Sequence, residues 1–402
     1  MAPAPPVGPG FFPLDEELGL LPGSLSPQVQ DHLSRLAVWM PFERAAQMLA
    51  ALSGVQVSEA TTRRQTYTAG AAYEGVQATQ ARTAEDPSGG SRSDQLVISA
   101  DGAMVPLVHG QWAEVKTLVI GEVAAGQEEG EAQCRRLSYF SRMSEASVFA
   151  EQATVETARR GVTKAKQVCA VMDGAEWIDG LVDLHRPDAL RILDFPHAAQ
   201  AVSAIGQEAG VQELESWLAT QLHELKHQGP AVVLAELGRL CAHLPLNESM
   251  RQQYAYLLKR EERMQYPQYQ QHGWPIGSGI VESGHKVVMQ ARLKGAGMHW
   301  APVHVNRLLA LRTAACNDRW EEAQQHLRAF RQEQRQRRRA QQALQRMRQQ
   351  VCRTLLKRVA PRQHDSPPPA PLPATSSPPP PKLVPKYSWR QPFLRRPVYA
   401  KT

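Results

Sequence analysis

VISADGAMVPL, residues 97–107, is the stretch on which the reading of this chain turns. Valine and isoleucine lead into Asp101-Gly102, so an apolar strand runs out on a carboxylate. The pattern recurs in AVMDGAEWI, residues 170–178, where apolar residues run up to Asp173-Gly174. A third segment, IGSGIVESG at 276–284, follows a Gly-Ser-Gly turn with a stretch of helical character that displays Glu282. A bare Asp-Gly is most often a turn. Two at strand ends, followed downstream by Gly-Ser-Gly-x-x-Glu, make a joint pattern.

Working outward, strand signals fall at 95–101, at AEVKTLVIGEV (113–123) and at RLSYFS (136–141). SEASVFAEQATVETARRG (144–161) has helical spacing, and KQVCAVMDG (166–174) and LRILDFPHA (190–198) are again strand-like. The order βββαβ…β, with the second aspartate after the fourth strand, predicts an α/β chain with a ribonuclease-H-like core. From 200 to 270 the chain turns helical. Val211, Leu214, Leu218, Leu222 and Leu225 form one stripe and Val233, Leu237, Leu240 and Leu244 the next, so an all-helical insertion precedes the glutamate.

Upstream, Leu33, Leu36, Ala37 and Met40 share one helical face, and Phe42, Ala45, Ala46, Leu49 and Leu52 another after Pro41. Gly54 stops the second helix. Ser58 caps SEATTRRQTYTAG, which ends at Gly70 and exposes Arg63 and Arg64. Residues 1–84 thus read as a helix-turn-helix-like DNA-binding region, or as a small helical bundle with solvated arginines. EDPSGGSRSD (85–94) is a linker. Downstream, 321–359 is one basic, glutamine-rich helix carrying Arg335, Arg337, Arg338 and Arg339, and 360–402 is a Pro-rich disordered tail.

The net charge of +7 conceals an asymmetry. Residues 321–402 hold 18 Lys and Arg against 4 Asp and Glu, so the rest of the chain is acidic on balance. The surplus points to a polyanion partner met by the tail, with phosphate contact that weakens in salt. Five cysteines stand singly with no CxxC, which excludes zinc-ribbon and disulfide scaffolds and suits a reducing cytoplasm. No run approaches the roughly 20 apolar residues of a membrane helix, and the start of the chain lacks the pattern of a secretion signal.

Carboxylates in this pattern suit phosphodiester chemistry. Two divalent cations roughly 3.5–4 Å apart activate the attacking oxygen and stabilise the leaving one. Hard Mg²⁺ prefers carboxylate oxygens and keeps several waters, so Asp101, Asp173 and Glu282 suffice as ligands. The 13 histidines show no HExxH or similar pairing. Trp274, just before the Gly-Ser-Gly turn, stacks on an unpaired base in one reading and packs in the core in the other.

These residues resemble the DDE transposases of bacterial insertion sequences, and most closely the ISKra-type family. The resemblance rests on DGAMVPL with the following WAEVK (112–116), on DGAEWI, DFPHA and GWPIGSGIVES, and on RLKGAGMHW and VNRLLALRTA. PLDEELGLLPG and PFERAAQMLAALSGVQVS extend it, so it covers about 13–320. It implies a ribonuclease-H-like DDE catalytic domain over 95–320, a triad of Asp101, Asp173 and Glu282, and metal-dependent DNA strand transfer. Asp194 and His197 resemble the Asp-x-x-His element of related transposases, as contacts to the scissile phosphate or organisers of a carboxylate, or simply as a helix cap. The chain departs from the family at Pro196, where a tyrosine is usual, and in its tail. The implied cofactor is Mg²⁺ or Mn²⁺, two ions per site. The implied partners are element-end DNA, target DNA and at least one further copy of the chain, with no membrane, in a bacterial cytoplasm at the nucleoid. Two other readings stay open: a nuclease or resolvase of the same fold that does not join DNA, and a catalytically decayed DNA-binding copy.

Overall fold

A computed structural model describes residues 25–83, 94–125, 132–244 and 247–359. The sequence motif PLDEELGLLPG, nearly all of the linker and the Pro-rich tail lie outside these residues. The chain divides into two compact units, residues 1–340 and 341–402. The helix Trp320–Val359 begins in the first, and its residues from 341 onward belong to the second.

The first unit is mixed α/β, mostly helical around one five-stranded mixed sheet. Its strands are β1 (Gln95–Pro106), β2 (Trp112–Ala125), β3 (Ala132–Arg142), β4 (Gln167–Met172) and β5 (Leu190–Leu193), in the order β3-β2-β1-β4-β5. β1, β2 and β3 form an antiparallel meander, while β4 and β5 run parallel to β1. The helices are α1 (Pro27–Trp39), α2 (Phe42–Ser53), α3 (Glu59–Thr83), α4 (Ala146–Arg159), α5 (Glu176–His185), α6 (Phe195–Glu208), α7 (Leu214–His227), α8 (Pro230–His243), α9 (Glu248–Leu258), α10 (Tyr266–Gln271), α11 (Gly279–Gly284), α12 (Pro302–Cys316) and α13 (Trp320–Val359). No helix among the described residues is long and apolar enough to cross a membrane.

Strand alternation sorts the core into layers. Leu96, Ile98 and Ala100 of β1 pack with Leu118 and Ile120 of β2, and with Val168, Ala170 and Met172 of β4, against α4 and α5. The opposite face carries two helical layers. Val97, Cys169, Val171 and Ile192 meet the insertion helices α6 to α10. Val105, Val115, Val119 and Tyr139 meet α1, α3, α11 and α12. Residues 101 and 173 continue the odd-numbered series of β1 and β4, so both aspartates belong to the face where these two layers adjoin.

Three local expectations change. Asp101 does not end its strand: β1 pairs with β2 without a break from Leu96 to Pro106, through Asp101 opposite Thr117 and Gly102 opposite Lys116. The glycine makes no turn here; a Cβ at 102 would stand 2.1 Å from Oε1 of Glu114, the end of a side chain that can move aside. That carboxylate is held by the buried Lys116 at 2.5 Å. Nor does Gly70 stop its helix, since α3 runs on to Thr83. Here glycine permits contact between helices: a Cβ would lie 2.2 Å from the carbonyl oxygen of Arg307 on α12. Finally, the strand expected over 190–198 stops at Leu193, where Asp194 caps α6.

Candidate active site

Asp101 and Asp173 arise from adjacent parallel strands in matched register. Leu96 pairs with Val168 and Ile98 with Ala170, and extending that register sets 101 level with 173. The hydroxyl of Ser99 donates to the carbonyl of Val171 at 2.8 Å, tying the strands together two residues before each aspartate. Burial pushes Asp101 above the usual carboxylate range, the nearby His285 and the Gly102 amide oppose this, and the negative charge of Asp173 adds to it.

Asp173 follows β4 directly. Its Oδ1 accepts the Ala175 N–H at 2.8 Å, an Asx-type turn. Gly174 takes φ +85°, a left-handed conformation in which a Cβ would also meet the Arg260 side chain at 2.1 Å.

Asp194 and His197 come together as the sequence suggested, with the aspartate fully buried. Asp194 Oδ2 accepts from His197 Nδ1 at 2.5 Å and from the His197 backbone N–H at 3.3 Å, so it caps α6 and holds the imidazole at once. Its other oxygen accepts the Ser278 N–H at 2.5 Å, which fastens the Gly-Ser-Gly turn to the end of β5. The hydrogen bond to Asp194 raises the His197 pKa, burial opposes it, and the charges of Asp194, Asp173 and Asp101 raise it further. Pro196 falls in the first turn of α6, where no intrahelical acceptor is required, so the ring fits the backbone without strain.

Glu282 lies exposed on α11. Gly284 makes the sheet contact: a Cβ there would stand 2.7 Å from Val119 and 3.3 Å from Tyr139. The helical run continues as a π-helix, His285–Gln290, and then through Ala291–Leu293. His285, one turn after Glu282, packs against Asp101, with Nε2 3.3 Å from its carbonyl oxygen and Nδ1 3.6 Å from Oδ2. Burial lowers the His285 pKa, while the charges of Asp101 and Glu282 oppose the shift. Among the described residues, no three His, Cys, Asp or Glu side chains gather in a group able to hold a metal ion. The three carboxylates of the expected triad do not form such a group.

Beside the aspartates opens a cleft of about 470 Å³, lined by Asp173, His197, Gln200, Gln252, Gln253 and Tyr256. Sequence reading passed over His285, Tyr256 and Arg260. Only His285 carried a local signal, its one-turn spacing from Glu282.

The DNA-contact expectations divide. Trp274 is only 6% exposed and packs with Tyr266, Tyr269 and the insertion helices, as in the core reading. Arg63 and Arg64 lie exposed on α3, Arg63 within 3.9 Å of Glu59. Arg337, Arg338 and Arg339 are exposed on α13, with Arg337 bonded to Glu333 at 2.6 Å; Arg335 lies on the same helix. Arginines of the RLKGAGMHW and VNRLLALRTA motifs behave differently. Arg292 and Arg312 are buried, donating to the carbonyls of Ala37, Val38 and Val288 and stacking over Phe42, Trp300 and Trp39.

No curated protein matches this sequence. The model of an uncharacterised protein family, UPF0236, matches residues 10–323, a span that takes in the sheet, the insertion and every carboxylate of the site, and the chain belongs to that family.

Proposed function

We propose that this protein is a DNA transposase of the DDE type, built on a ribonuclease-H-like core. One observation carries the reading: β1, which carries Asp101, and β4, which leads into Asp173, are adjacent and parallel in a sheet whose elements run β1-β2-β3-α4-β4, with the glutamate-bearing α11 seated on β1 and β2. The donor chemistry suits a hard divalent cation, since carboxylate oxygens are the ligands such an ion prefers. Asp101 and Asp173 would hold Mg²⁺ or Mn²⁺, with Glu282 as the third ligand once α11 and the aspartates draw together. When bound, such a pair of cations activates the attacking oxygen and stabilises the leaving one.

The chain's own residues do the remaining work. His285 braces the Asp101 backbone and carboxylate from above. Asp194 keeps a proton on Nδ1 of His197 and turns the other ring nitrogen toward the cleft shared with Asp173, where it meets the scissile phosphate. Water cuts the phosphodiester at the element end, and the freed 3′-hydroxyl then attacks target DNA at the same centre. Both steps are in-line displacements, so no protein–DNA covalent bond forms. Exposed arginines on α3 and α13 supply phosphate contacts. Pairing two element ends calls for at least a dimer on DNA, in the bacterial cytoplasm at the nucleoid.

The test uses DNA carrying the inverted repeats that flank the gene, with Mg²⁺ or Mn²⁺. Cleavage at the repeat ends, and joining of a pre-cut 3′ end to a second duplex, are the expected products. Cleavage without joining leaves a nuclease, and end binding with no cleavage leaves a decayed copy; either result overturns the transposase reading.

A further inference from the structure

The insertion between β5 and the Gly-Ser-Gly turn returns to the second aspartate. Where β4 ends, the carbonyls of residues 173 and 174 leave the sheet ladder and need other donors. Both donors are side chains from the end of α9. Tyr256 Oη donates to the Asp173 carbonyl at 2.6 Å, and Arg260 Nη2 donates to the Gly174 carbonyl at 2.6 Å. These two side chains brace each other. The Arg260 guanidinium lies 4.2 Å over the Tyr256 ring, and its Nη1 donates to the Tyr256 carbonyl at 3.0 Å. Three residues further on, Arg263 donates to Asp179 Oδ2 at 3.0 Å, beyond the same turn. Residues 256–263 therefore grip 172–179 at several points, on both sides of the carboxylate.

We infer that Tyr256 and Arg260 are positioning residues that aim the Asp173 carboxylate, so that the helical insertion sets the geometry of the second metal ligand; this rests on the metal-dependent reading above. The chemistry is that of groups which orient a ligand without touching the ion. The backbone of residues 173 and 174 is fixed by two hydrogen bonds from outside, and the carboxylate is fixed on that backbone by the Ala175 amide. Glycine at 174 is part of the device, since any larger residue would displace Arg260. Partners that orient a ligand in this way are typically worth about 10- to 100-fold in metal affinity.

The experiment titrates Mn²⁺ into the full chain by electron paramagnetic resonance, comparing wild type with Tyr256→Phe, Arg260→Gln and Arg260→Lys, and checks folding by thermal melting. Tyr256→Phe and Arg260→Gln should each weaken Mn²⁺ binding about 10- to 100-fold. Arg260→Lys, which keeps the charge and loses the fork, should fall between these variants and wild type. In an Asp173→Asn background, Tyr256→Phe should add no further loss, because its effect passes through that carboxylate. Wild-type Mn²⁺ affinity in folded Tyr256→Phe and Arg260→Gln overturns the inference, as does an equal loss on top of Asp173→Asn. Should the wild-type chain bind no Mn²⁺, the metal-dependent reading fails by itself. The clamp is then read from hydrogen exchange at the Gly174 and Ala175 amides: faster exchange in Tyr256→Phe upholds it, and unchanged exchange overturns it.

Discussion

Asp173 and Glu282 are held in opposite ways. Asp173 leaves a central strand, its carboxylate tied to the next turn and its carbonyl tied to Tyr256. Glu282 rides a six-residue helix, and its carboxylate makes no hydrogen bond or ion pair among the described residues. What positions it is the seat of that helix, where Gly284 lets backbone meet Val119 and Tyr139. Asp173 is set by hydrogen bonds, one from the next turn and others from the insertion, whereas the glutamate is set by helix packing alone. Both depend on where a helix lies, the first through directed bonds and the second through shape.

The sharpest way to break that contrast is to remove each charge without changing shape. Asp101→Asn and Asp173→Asn should each lower cleavage of element-end DNA by about three orders of magnitude, and Glu282→Gln by a similar factor, with end binding retained. A gel assay settles it, and normal cleavage by Glu282→Gln would remove the glutamate from the site. Next in size is Gly284→Ala, which leaves every carboxylate intact and lifts α11 from the sheet. Overpacking should cost about 1–3 kcal/mol of stability and, by misplacing Glu282, roughly 100-fold in cleavage rate. Unchanged cleavage together with a lowered melting temperature would show that the seat does not aim the glutamate.

Arg292 extends this seat, since it anchors the end of the same helical run to the Ala37 carbonyl beneath Phe42 and Trp300. Arg292→Met should cost about 2–3 kcal/mol in urea denaturation, the worth of a buried hydrogen bond from a charged group. A cost near zero would mean that stacking and shape, not charge, hold the run in place.

The smallest effect is expected on the far face of the sheet. His185 joins α5 to α4, with Nε2 2.8 Å from the Ala150 carbonyl and Nδ1 3.1 Å from the Thr157 hydroxyl. Burial lowers its pKa below the ordinary histidine value of 6.5. Its contribution to stability is therefore full above pH 6.5 and lost as pH falls toward the lowered value, with a slope of at most about 1.4 kcal/mol per pH unit. Denaturation of His185→Gln should show a flatter profile below pH 6.5 while Mn²⁺ affinity stays unchanged. A changed affinity would mean that the two faces of the sheet are coupled.

Much of the architecture was legible because strands and insertion helices carry strong apolar periodicity, and that same periodicity put 101 and 173 on one face. The failures have a common physical cause. Gly102 and Gly70 read as a turn and a stop, yet neither ends its element, and at Gly70 the distant Arg307 carbonyl fills the space of a Cβ. Tyr256 and Arg260 reach the second aspartate across long stretches of chain, and local pattern carries no trace of that; only His285 had a local signal, its spacing from Glu282. The sequence carried no sign that Arg292 and Arg312 are buried while the arginines at 337–339 on α13 are exposed.

The crossing of α3 and α12 at Gly70 bears on how the chain is made. The apolar faces of α1 to α3 share their core with α12, and residues 84–301 intervene. At ~5–20 residues per second of synthesis, α3 waits roughly 10–40 s for its partner helix. For that interval the leading helices hold an open greasy surface on the ribosome, while the sheet and insertion emerge behind them. Chains cut short before α12 should therefore be caught by chaperones or aggregate, even though they contain both aspartates.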